Sequence, residues 1–327
     1  MADLFAGWNT AKDLVAIPEA QRDHYSAQIE HLALPRMPFQ DFATFKTELL
    51  KNPGDTIVFT KFADISVGGP LAEQDSVEVT NMEADQYSIQ VGEWGGGVGI
   101  TNKLKDRSWI DMVEEATTLL ARDYSVTITT AFRNTIEGAT NTIFANGRAS
   151  RALLQGSVDY FNADLVHEAR EQLVGADAMP FMGDNGQEFY VCFLHSHQTR
   201  YLKTDPELMA ANNFHQTGLP FTGAVGMWDG VVFIETDFMS NGAGTVITNK
   251  YGYSAALDDA ATAGAANADV YRAAFVGDNS YAQAWALNTE LRQNGIEDFG
   301  RKIKFAWYAI TGFGLVNDDH VVLAETV

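Results

Sequence analysis

The chain has 327 residues, 46% of them hydrophobic, which is enough for one large domain or two modest ones with a buried core. Its formal net charge of −21 disfavours wholesale nucleic-acid binding, because both partners would be anionic. This charge is compatible with a container that encloses nucleic acid without binding it tightly. It is equally compatible with an ordinary soluble acidic protein. The single cysteine, Cys192, excludes an intramolecular disulfide and is expected to be buried and inert. With no basic residue before Lys12 and no apolar run near the ~20 residues that span a bilayer, we expect a soluble cytoplasmic product.

The first segment, residues 1–53, is predicted to be an extended arm. Pro18, Pro35 and Pro38 interrupt it, and each proline fixes its own backbone and restricts the residue before it. A short amphipathic helix is expected around Phe42–Leu50.

Residues 54–105 alternate between apolar and polar side chains with a period of two, which predicts antiparallel strands that form a ribbon. The run Gly95–Gly97 is predicted to be a turn or bulge of this ribbon. Because an isolated ribbon is marginal in water, we expect part of it to lie on a neighbouring subunit. The predicted inter-subunit contacts are Ile57, Phe59, Phe62, Val77, Val79, Tyr87, Ile89 and Trp94.

A long helix is predicted over residues 108–137, where apolar side chains recur at helical spacing. Ser108 is the expected N-cap, with Asp111 three residues on, and Gly138 is the expected stop. Such a helix is roughly 45 Å long, so we expect it to span its domain.

The second half of the chain predicts a shorter helix and several buried strands. The helix runs over Ala163–Val174 with Asn162 as its N-cap. The expected strands are Phe189–Leu194, Val231–Ile234, Val270–Val276, Ile303–Ile310 and Val321–Leu323. Residues 239–268 are rich in Gly, Ala and Asn, and we interpret them as an inserted surface excursion.

Candidate chemical motifs are few. The run Gly95–Gly99 lacks the following helix and the Lys-Ser/Thr pair of a phosphate loop. His195 and His197 would share a metal if they lay in one strand, with His215 or Asp205 as further ligands. The alternative for this segment is a strand end that turns into a helix, with Thr204 and Asp205 near its cap. The acidic pairs are expected in turns or on solvated faces: Glu114–Glu115, Asp258–Asp259 and Asp318–Asp319. On chemistry alone, the sequence predicts no active site.

Several segments, taken in order, resemble the coat proteins of tailed bacteriophages, and in particular the branch named after coliphage N-four. Gly54-Asp55-Thr56, then Pro70–Glu73 and Gly99–Asn102, are similar to the extended-loop region of that family. Cys192–Tyr201 resembles a later segment, with Ser196 where the family usually has proline. Gly226–Phe233 and Ala274–Tyr281 are similar to two of its later segments.

The resemblance implies an α+β chain with the Hong Kong 97-type capsid fold. Its parts would be an N-terminal arm (1–53), an extended loop (54–105), a peripheral domain (106–160 plus 296–327) and an axial domain (161–295). Helix 108–137 would be the spine helix of the peripheral domain, and residues 239–268 an insertion in the axial domain.

The resemblance also implies a function. The chain would be a major capsid protein that self-assembles, as pentamers and hexamers, into an icosahedral shell enclosing phage DNA. We then expect no enzymatic activity, cofactor, metal or membrane, and no sequence-specific DNA binding. A scaffolding protein, a portal and a decoration protein would be partners, with assembly in the host cytoplasm. The alternatives are an encapsulin-like compartment shell and an α/β enzyme with a site near His195 and His197.

Overall fold

The computed structural model describes residues 37–47, 55–62, 69, 79, 81–82, 84–109, 111–156, 158–183, 186–207, 224–240, 269–299 and 301–327. Within them the chain forms four α-helices and thirteen β-strands. The helices are α1 Asn102–Arg107, α2 Met112–Ile136, α3 Ala163–Gly175 and α4 Ser196–Leu202. The strands are β1 Thr44–Lys46, β2 Thr56–Phe62, β3 Ala84–Gln90, β4 Gly92–Thr101, β5 Thr142–Phe144, β6 Phe181–Met182, β7 Glu188–Leu194, β8 Ala224–Trp228, β9 Val231–Glu235, β10 Tyr271–Val276, β11 Tyr281–Glu297, β12 Lys302–Leu315 and β13 Val321–Thr326.

The described strands form three sheets. A four-stranded sheet has the order β1-β11-β12-β4, and its long central strands β11 and β12 form an antiparallel hairpin. A seven-stranded mixed sheet has the order β5-β13-β10-β7-β9-β8, with β6 paired beside β7. Strands β2 and β3 form a separate two-stranded sheet, the ribbon. The predicted α+β class is therefore confirmed.

Helix α2, which we call the spine helix because of its length, begins later than predicted. Its N-cap is Asp111, whose carboxylate accepts a hydrogen bond from the Val113 N–H at 2.9 Å. Ser108 instead ends α1, because its N–H donates to the Leu104 carbonyl and its backbone is extended. The predicted start at Ser108 is thus wrong, and the helix has 25 residues, about 37 Å at 1.5 Å per residue.

Aromatic side chains hold the spine helix against the four-stranded sheet. The ring of Tyr124 meets Trp307 edge to face at 5.2 Å, and Phe132 meets Phe313 at 4.8 Å. The β-branched stretch 126–130 remains helical because Ile128 in it is completely buried. Packing on the sheet therefore overrides the weak helix propensity of this stretch.

Helix α3 covers the seven-stranded sheet and begins where predicted. The side chain of Asn162 accepts a hydrogen bond from the Leu165 N–H at 3.0 Å, which confirms the predicted N-cap. Leu165 and Leu173 are buried in a cluster with Phe233 and Phe275 of the sheet. The five predicted strands are also present, with some ends shifted, whereas β5, β6, β8 and β11 are strands that the sequence did not predict.

Part of the predicted arm belongs to the folded body. Met37 and Phe39 are buried in the main core, and the Tyr281 hydroxyl donates to the Phe39 carbonyl at 2.6 Å. Strand β1 pairs in parallel with β11. The helix predicted over 42–50 is wrong in its described part, which forms a 3-10 turn at Gln40–Phe42 and then β1. Residues 1–36 and 48–54 lie outside the described residues.

Candidate functional site

The ribbon has two different faces. Ile57 stands opposite Ile89 in the antiparallel register, and alternation places Phe59 on the same side. These three side chains are buried in a cluster with Ala282 and Ala284 of β11. This inner face therefore lies on the chain's own four-stranded sheet.

Two glycines of β12 create the space for this contact, which we call the glycine notch. A Cβ on Gly312 would overlap the Gln90 carbonyl oxygen, and one on Gly314 would lie 2.7 Å from Cγ1 of Ile89. Neither of these close approaches is compatible with ordinary packing. Small residues at 312 and 314 are thus required for the ribbon to lie where it does.

The outer face of the ribbon carries exposed apolar side chains among polar ones. Val58 is 44% exposed and Phe62 is 59% exposed, on the side opposite Ile57, and Thr60 lies between them. Beyond the end of β2, Val79 and Met82 are also exposed. These apolar side chains are available for contact with another chain.

Three of the predicted inter-subunit contacts have partners within one subunit. The glycine notch and β11 bury the side chains of Ile57, Phe59 and Ile89. A role for them between subunits stays a prediction. Tyr87 is half-buried against the same cluster.

Trp94 also has partners in its own chain. Its Nε1–H donates to the Thr311 carbonyl at 3.0 Å, and its ring packs on Phe313 at 5.6 Å. These contacts hold Trp94 against its own sheet, and its predicted contact with a neighbouring subunit stays a prediction. Of the remaining predicted contacts, Phe62 and Val79 are exposed, and Val77 lies outside the described residues.

The glycine run Gly95–Gly97 lies inside strand β4, so the predicted turn is wrong. Gly96 pairs with Trp307, and the Trp307 Nε1–H donates to the Asp123 carboxylate of the spine helix at 2.8 Å. A Cβ on Gly96 would overlap that carboxylate and lie 2.8 Å from Nε1. Glycine at position 96 allows the spine helix to lie close to the sheet. Because the glycine run lies inside a strand, it does not form a phosphate loop.

The spine helix is exposed mainly in its first half. Glu114, Glu115 and Leu119 face solvent, whereas most residues from Tyr124 onward are buried. The two carboxylates of the predicted pair stand in the first turn, where the helix dipole favours negative charge. They are therefore a helix-stabilising, solvated pair.

The predicted histidine pair builds a helix cap. His195 Nδ1 accepts the His197 N–H at 3.1 Å, and the Gln198 side chain accepts the His195 N–H at 3.2 Å. This capping box confirms the expected strand end that turns into a helix. Burial lowers the pKa of both imidazoles, and His197 stacks on Tyr271 at 4.2 Å.

The other suggested ligands are not assembled around these histidines. The Asp205 carboxylate accepts the Ala163 N–H at 3.1 Å, at the start of α3, and His215 lies outside the described residues. No group of three or more His, Cys, Asp or Glu that would hold a metal occurs among the residues that the structure describes. Burial raises the pKa of the Cys192 thiol well above its ordinary value, as expected for an inert cysteine.

The remaining acidic pairs lie in other surroundings. Asp318 and Asp319 lie in a 3-10 turn, and the Asp318 carboxylate accepts the Thr140 N–H at 3.0 Å. The pair 258–259 lies outside the described residues.

A buried charge network was missed by the sequence reasoning. Glu325 is completely buried and bonds to Arg151 and to Arg272 Nε, the latter at 2.8 Å. Arg272 Nη1 also lies 3.6 Å from Glu137, whose carboxylate accepts the Ser240 N–H. The network ties the end of the spine helix to the seven-stranded sheet. Its only signal in the sequence is a glutamate inside the apolar run that ends the chain.

Comparisons with known proteins fit this architecture. A model of a family described as phage capsid protein matches residues 123–315. The solved capsid of Ralstonia phage GP4 is 16% identical over 87% of both chains, with a TM-score of 0.66. The capsid of Helicobacter pylori bacteriophage KHP30 is 15% identical over 89% of this chain and 91% of its own, with a TM-score of 0.65.

The capsid of cyanophage Pam1 is 18% identical over 87% of this chain and 88% of its own, with a TM-score of 0.62. At these identities the structural matches show a shared fold. A comparison with curated protein sequences returns no match. No helix among the described residues is long and apolar enough to cross a membrane.

Proposed function

Because the chain belongs to the phage capsid protein family, it is a structural major capsid protein of the virion shell, and we propose how its parts build that shell. The subunit would have the Hong Kong 97-type organisation and belong to the coliphage N-four branch. The ribbon, the spine helix on one sheet and a second sheet domain support this organisation. The family match favours a phage shell over an encapsulin-like compartment, and the capping role of His195 and His197 gives the enzyme alternative no support.

The sheets suggest adjusted domain limits. We assign the four-stranded sheet and the spine helix to the peripheral domain, and the seven-stranded sheet and α3 to the axial domain. Residues 281–295 then move to the peripheral domain, because β11 pairs with β1 and β12. Residues 321–327 move to the axial domain, because β13 pairs with β5 and β10. Residues 239–268 would remain an axial insertion.

The exposed outer face of the ribbon is the observation that carries the proposed assembly mechanism. Val58 and Phe62, with Val79 beyond them, would pack on the peripheral domain of a neighbouring subunit, over the exposed first half of its spine helix. Fully burying one such side chain contributes about 1.5–3 kcal/mol. One contact of this size is weak, but a closed shell repeats it in every subunit, so the assembly is far more stable than a pair.

The test replaces the outer face while keeping the inner one. We expect the double variant Val58→Ser/Phe62→Ser to remain folded, because both side chains are exposed in the subunit. It should fail to form shells when examined by negative-stain electron microscopy. Thr60→Ser on the same face is the matched control, since it changes an exposed side chain there but keeps the hydroxyl and removes only one methyl group. Normal shells from the double variant would refute the ribbon mechanism.

The further partners follow from the family role. A separate scaffolding protein, a portal and a decoration protein would assemble with pentamers and hexamers of this chain in the host cytoplasm. The shell would enclose DNA without sequence-specific contacts, and the net charge of −21 supports weak adhesion to the packaged polyanion. Electron microscopy of the chain produced alone and together with its genomic neighbours tests these assignments. Shells of normal shape from the chain alone would show that a scaffolding protein is not required.

A further inference from the structure

The ribbon must present its outer face in a fixed direction if that face is to meet a neighbouring subunit. A two-stranded ribbon that stands alone is marginal in water, so its direction depends on what its inner face touches. That inner face rests on Ala282 and Ala284 of β11, and the glycine notch of β12 lets it lie there. The ribbon is therefore already docked in the single subunit.

Lys46 of β1 holds the first strand of the ribbon, β2. Its backbone pairs with Ala284, one of the residues beneath the inner face. Its Nζ atom lies 4.2 Å from the centroid of the Phe59 ring and donates a hydrogen bond to the Val58 carbonyl at 3.4 Å. A cation over an aromatic face is attracted by the ring. One side chain thus contacts both a buried residue of the inner face and the backbone of a residue of the outer face.

The glycine notch holds the second strand, β3. A Cβ on Gly312 would overlap the Gln90 carbonyl and lie 3.0 Å from Cγ2 of Ile89, so this glycine and the end of β3 are in close contact. Just beyond, the Val91 N–H donates to the Asp55 carbonyl at 2.9 Å and closes the base of the ribbon. Because each strand has its own attachment, turning the ribbon about its long axis breaks at least one of them.

We propose that Lys46 and the glycine notch position the ribbon for shell assembly, by holding it in the direction in which its outer face meets a neighbouring subunit. This role rests on the proposed function of that outer face. A binding segment that is already held in its bound direction loses less conformational freedom on association. Lys46 and the two glycines need not touch the neighbour, so their effect is separable from that of Val58 and Phe62.

Gly312→Ala tests the notch. The atoms nearest to the added Cβ belong to Gln90 and Ile89 of the ribbon, so the ribbon must move away from the sheet. Hydrogen exchange of the β2 and β3 amides should accelerate about tenfold or more, with exchange in the spine helix unchanged. The fraction of the chain recovered in shells, when it is produced with its genomic neighbours, should fall although the outer face is intact. Gly99→Ala is the matched control, because its Cβ would meet only Cγ of Lys304 at 3.8 Å.

A pair of substitutions tests Lys46. Lys46→Met keeps the apolar stem and removes the cation, so exchange of the β2 amides should accelerate by about two- to fivefold, the range expected for an exposed cation over a ring. Lys46→Arg keeps a cation that stacks on aromatic rings and donates hydrogen bonds, and it should behave like the wild type. Lys203→Met, at an exposed lysine that follows α4, is the control for net charge. Shell yield should follow the exchange rates, with Gly312→Ala lowest, Lys46→Met intermediate and Lys46→Arg normal.

The outcomes separate a positioning role from a purely structural one and from the ribbon mechanism itself. Normal shell yield from Gly312→Ala despite fast ribbon exchange, or ribbon exchange unchanged in both Gly312→Ala and Lys46→Met, would overturn the positioning role. So would faster exchange throughout the spine helix, because the notch would then stabilise the whole subunit. Normal shells from Val58→Ser/Phe62→Ser would remove the ribbon mechanism and the positioning role with it. Loss of shells in that double variant alone would leave the ribbon mechanism standing and overturn only the positioning role.

Discussion

The contact between Gly96 and the spine helix gives the sharpest prediction about stability. Gly96→Ala adds a Cβ that overlaps the Asp123 carboxylate and lies 2.8 Å from Nε1 of Trp307. The carboxylate must move, which breaks the 2.8 Å hydrogen bond that joins helix and sheet. Losing a hydrogen bond to a charged group costs about 1.5–3 kcal/mol. Forcing extra volume into a packed site costs about 1–3 kcal/mol, partly for the same displacement.

We therefore expect Gly96→Ala to lower the free energy of unfolding by about 2–4 kcal/mol. This corresponds to a decrease of about 5–10 °C in the midpoint of thermal unfolding. Gly99→Ala is a matched control, because it lies in the same strand and its Cβ would meet only Cγ of Lys304 at 3.8 Å. That substitution should be neutral or slightly stabilising. Thermal unfolding of the purified subunit, followed by circular dichroism, measures both changes.

A double-mutant cycle tests the assigned cause. In the background of Asp123→Ala the nearer clash partner and the hydrogen bond are already gone, and only the contact with Nε1 of Trp307 remains, so adding Gly96→Ala should have a smaller effect. Equal stability of Gly96→Ala and Gly99→Ala would refute the reasoning. So would additive effects of the Gly96 and Asp123 substitutions, because these would place the damage elsewhere in the sheet.

Three further predictions concern buried ionisable groups. Glu325→Gln should destabilise the subunit by about 3–5 kcal/mol in chemical denaturation, because two arginines lose a buried carboxylate. Burial acts to raise the pKa of Asp159, but hydrogen bonds from Asn146 and a backbone N–H, together with Arg148, outweigh it and lower that pKa. Its ionised form therefore stabilises the fold above its ordinary pKa, and this contribution is lost as pH falls through the lowered value; in Asp159→Asn, unfolding midpoints should vary less over that acid range. For His195, burial lowers the pKa more than the Asp237 carboxylate raises it, and the neighbouring His197 lowers it further, so the neutral cap is complete above about pH 6.5 and is lost as pH falls through the folded value. Hydrogen exchange of the α4 amides should accelerate in that window, and His195→Asn, which keeps an acceptor, should remove the acceleration.

Local signals predicted the elements that depend on local chemistry. The N-cap of α3 was predicted because Asn162 and the apolar spacing after it lie within a few residues of each other. The start of α2 was misplaced because Ser108 and Asp111 are both good caps. Only the separate turn of α1, which uses Thr101 as its own N-cap, decides between them. The presence of helix α2 could thus be predicted from its own sequence, whereas the position of its first turn depends on the neighbouring helix α1.

Elements that depend on distant residues were not predicted. Strand β11 breaks its own alternation, because its pairing with β12 shifts register between Trp285 and Leu287 and again before Glu290. Glycines in β4 carry a turn signal in the sequence, yet Gly96 is needed because Asp123 of the helix approaches the strand. No pattern within a few residues encodes either requirement.

The ribbon shows the same division. Period-two alternation predicted which side of β2 would be buried, and that side is buried. It did not predict what covers that side, because the glycine notch at Gly312 and Gly314 lies more than two hundred residues further along the chain. The contact that we propose with a neighbouring subunit therefore uses the other face, through Phe62, which was in the predicted set, and Val58, which was not.

The hairpin of β11 and β12 carries the ribbon at one end, on Ala282, Ala284 and the glycine notch, and the turn between the two strands lies at the other end. Ten residues of extended strand separate Gly312 from Lys302, or about 33 Å. The spine helix bonds to the middle of this hairpin through Trp307. The hairpin therefore joins the spine helix to the ribbon as one stiff element. Loosening the bond to the spine helix by Gly96→Ala should consequently weaken shell formation even though the outer face of the ribbon is not changed.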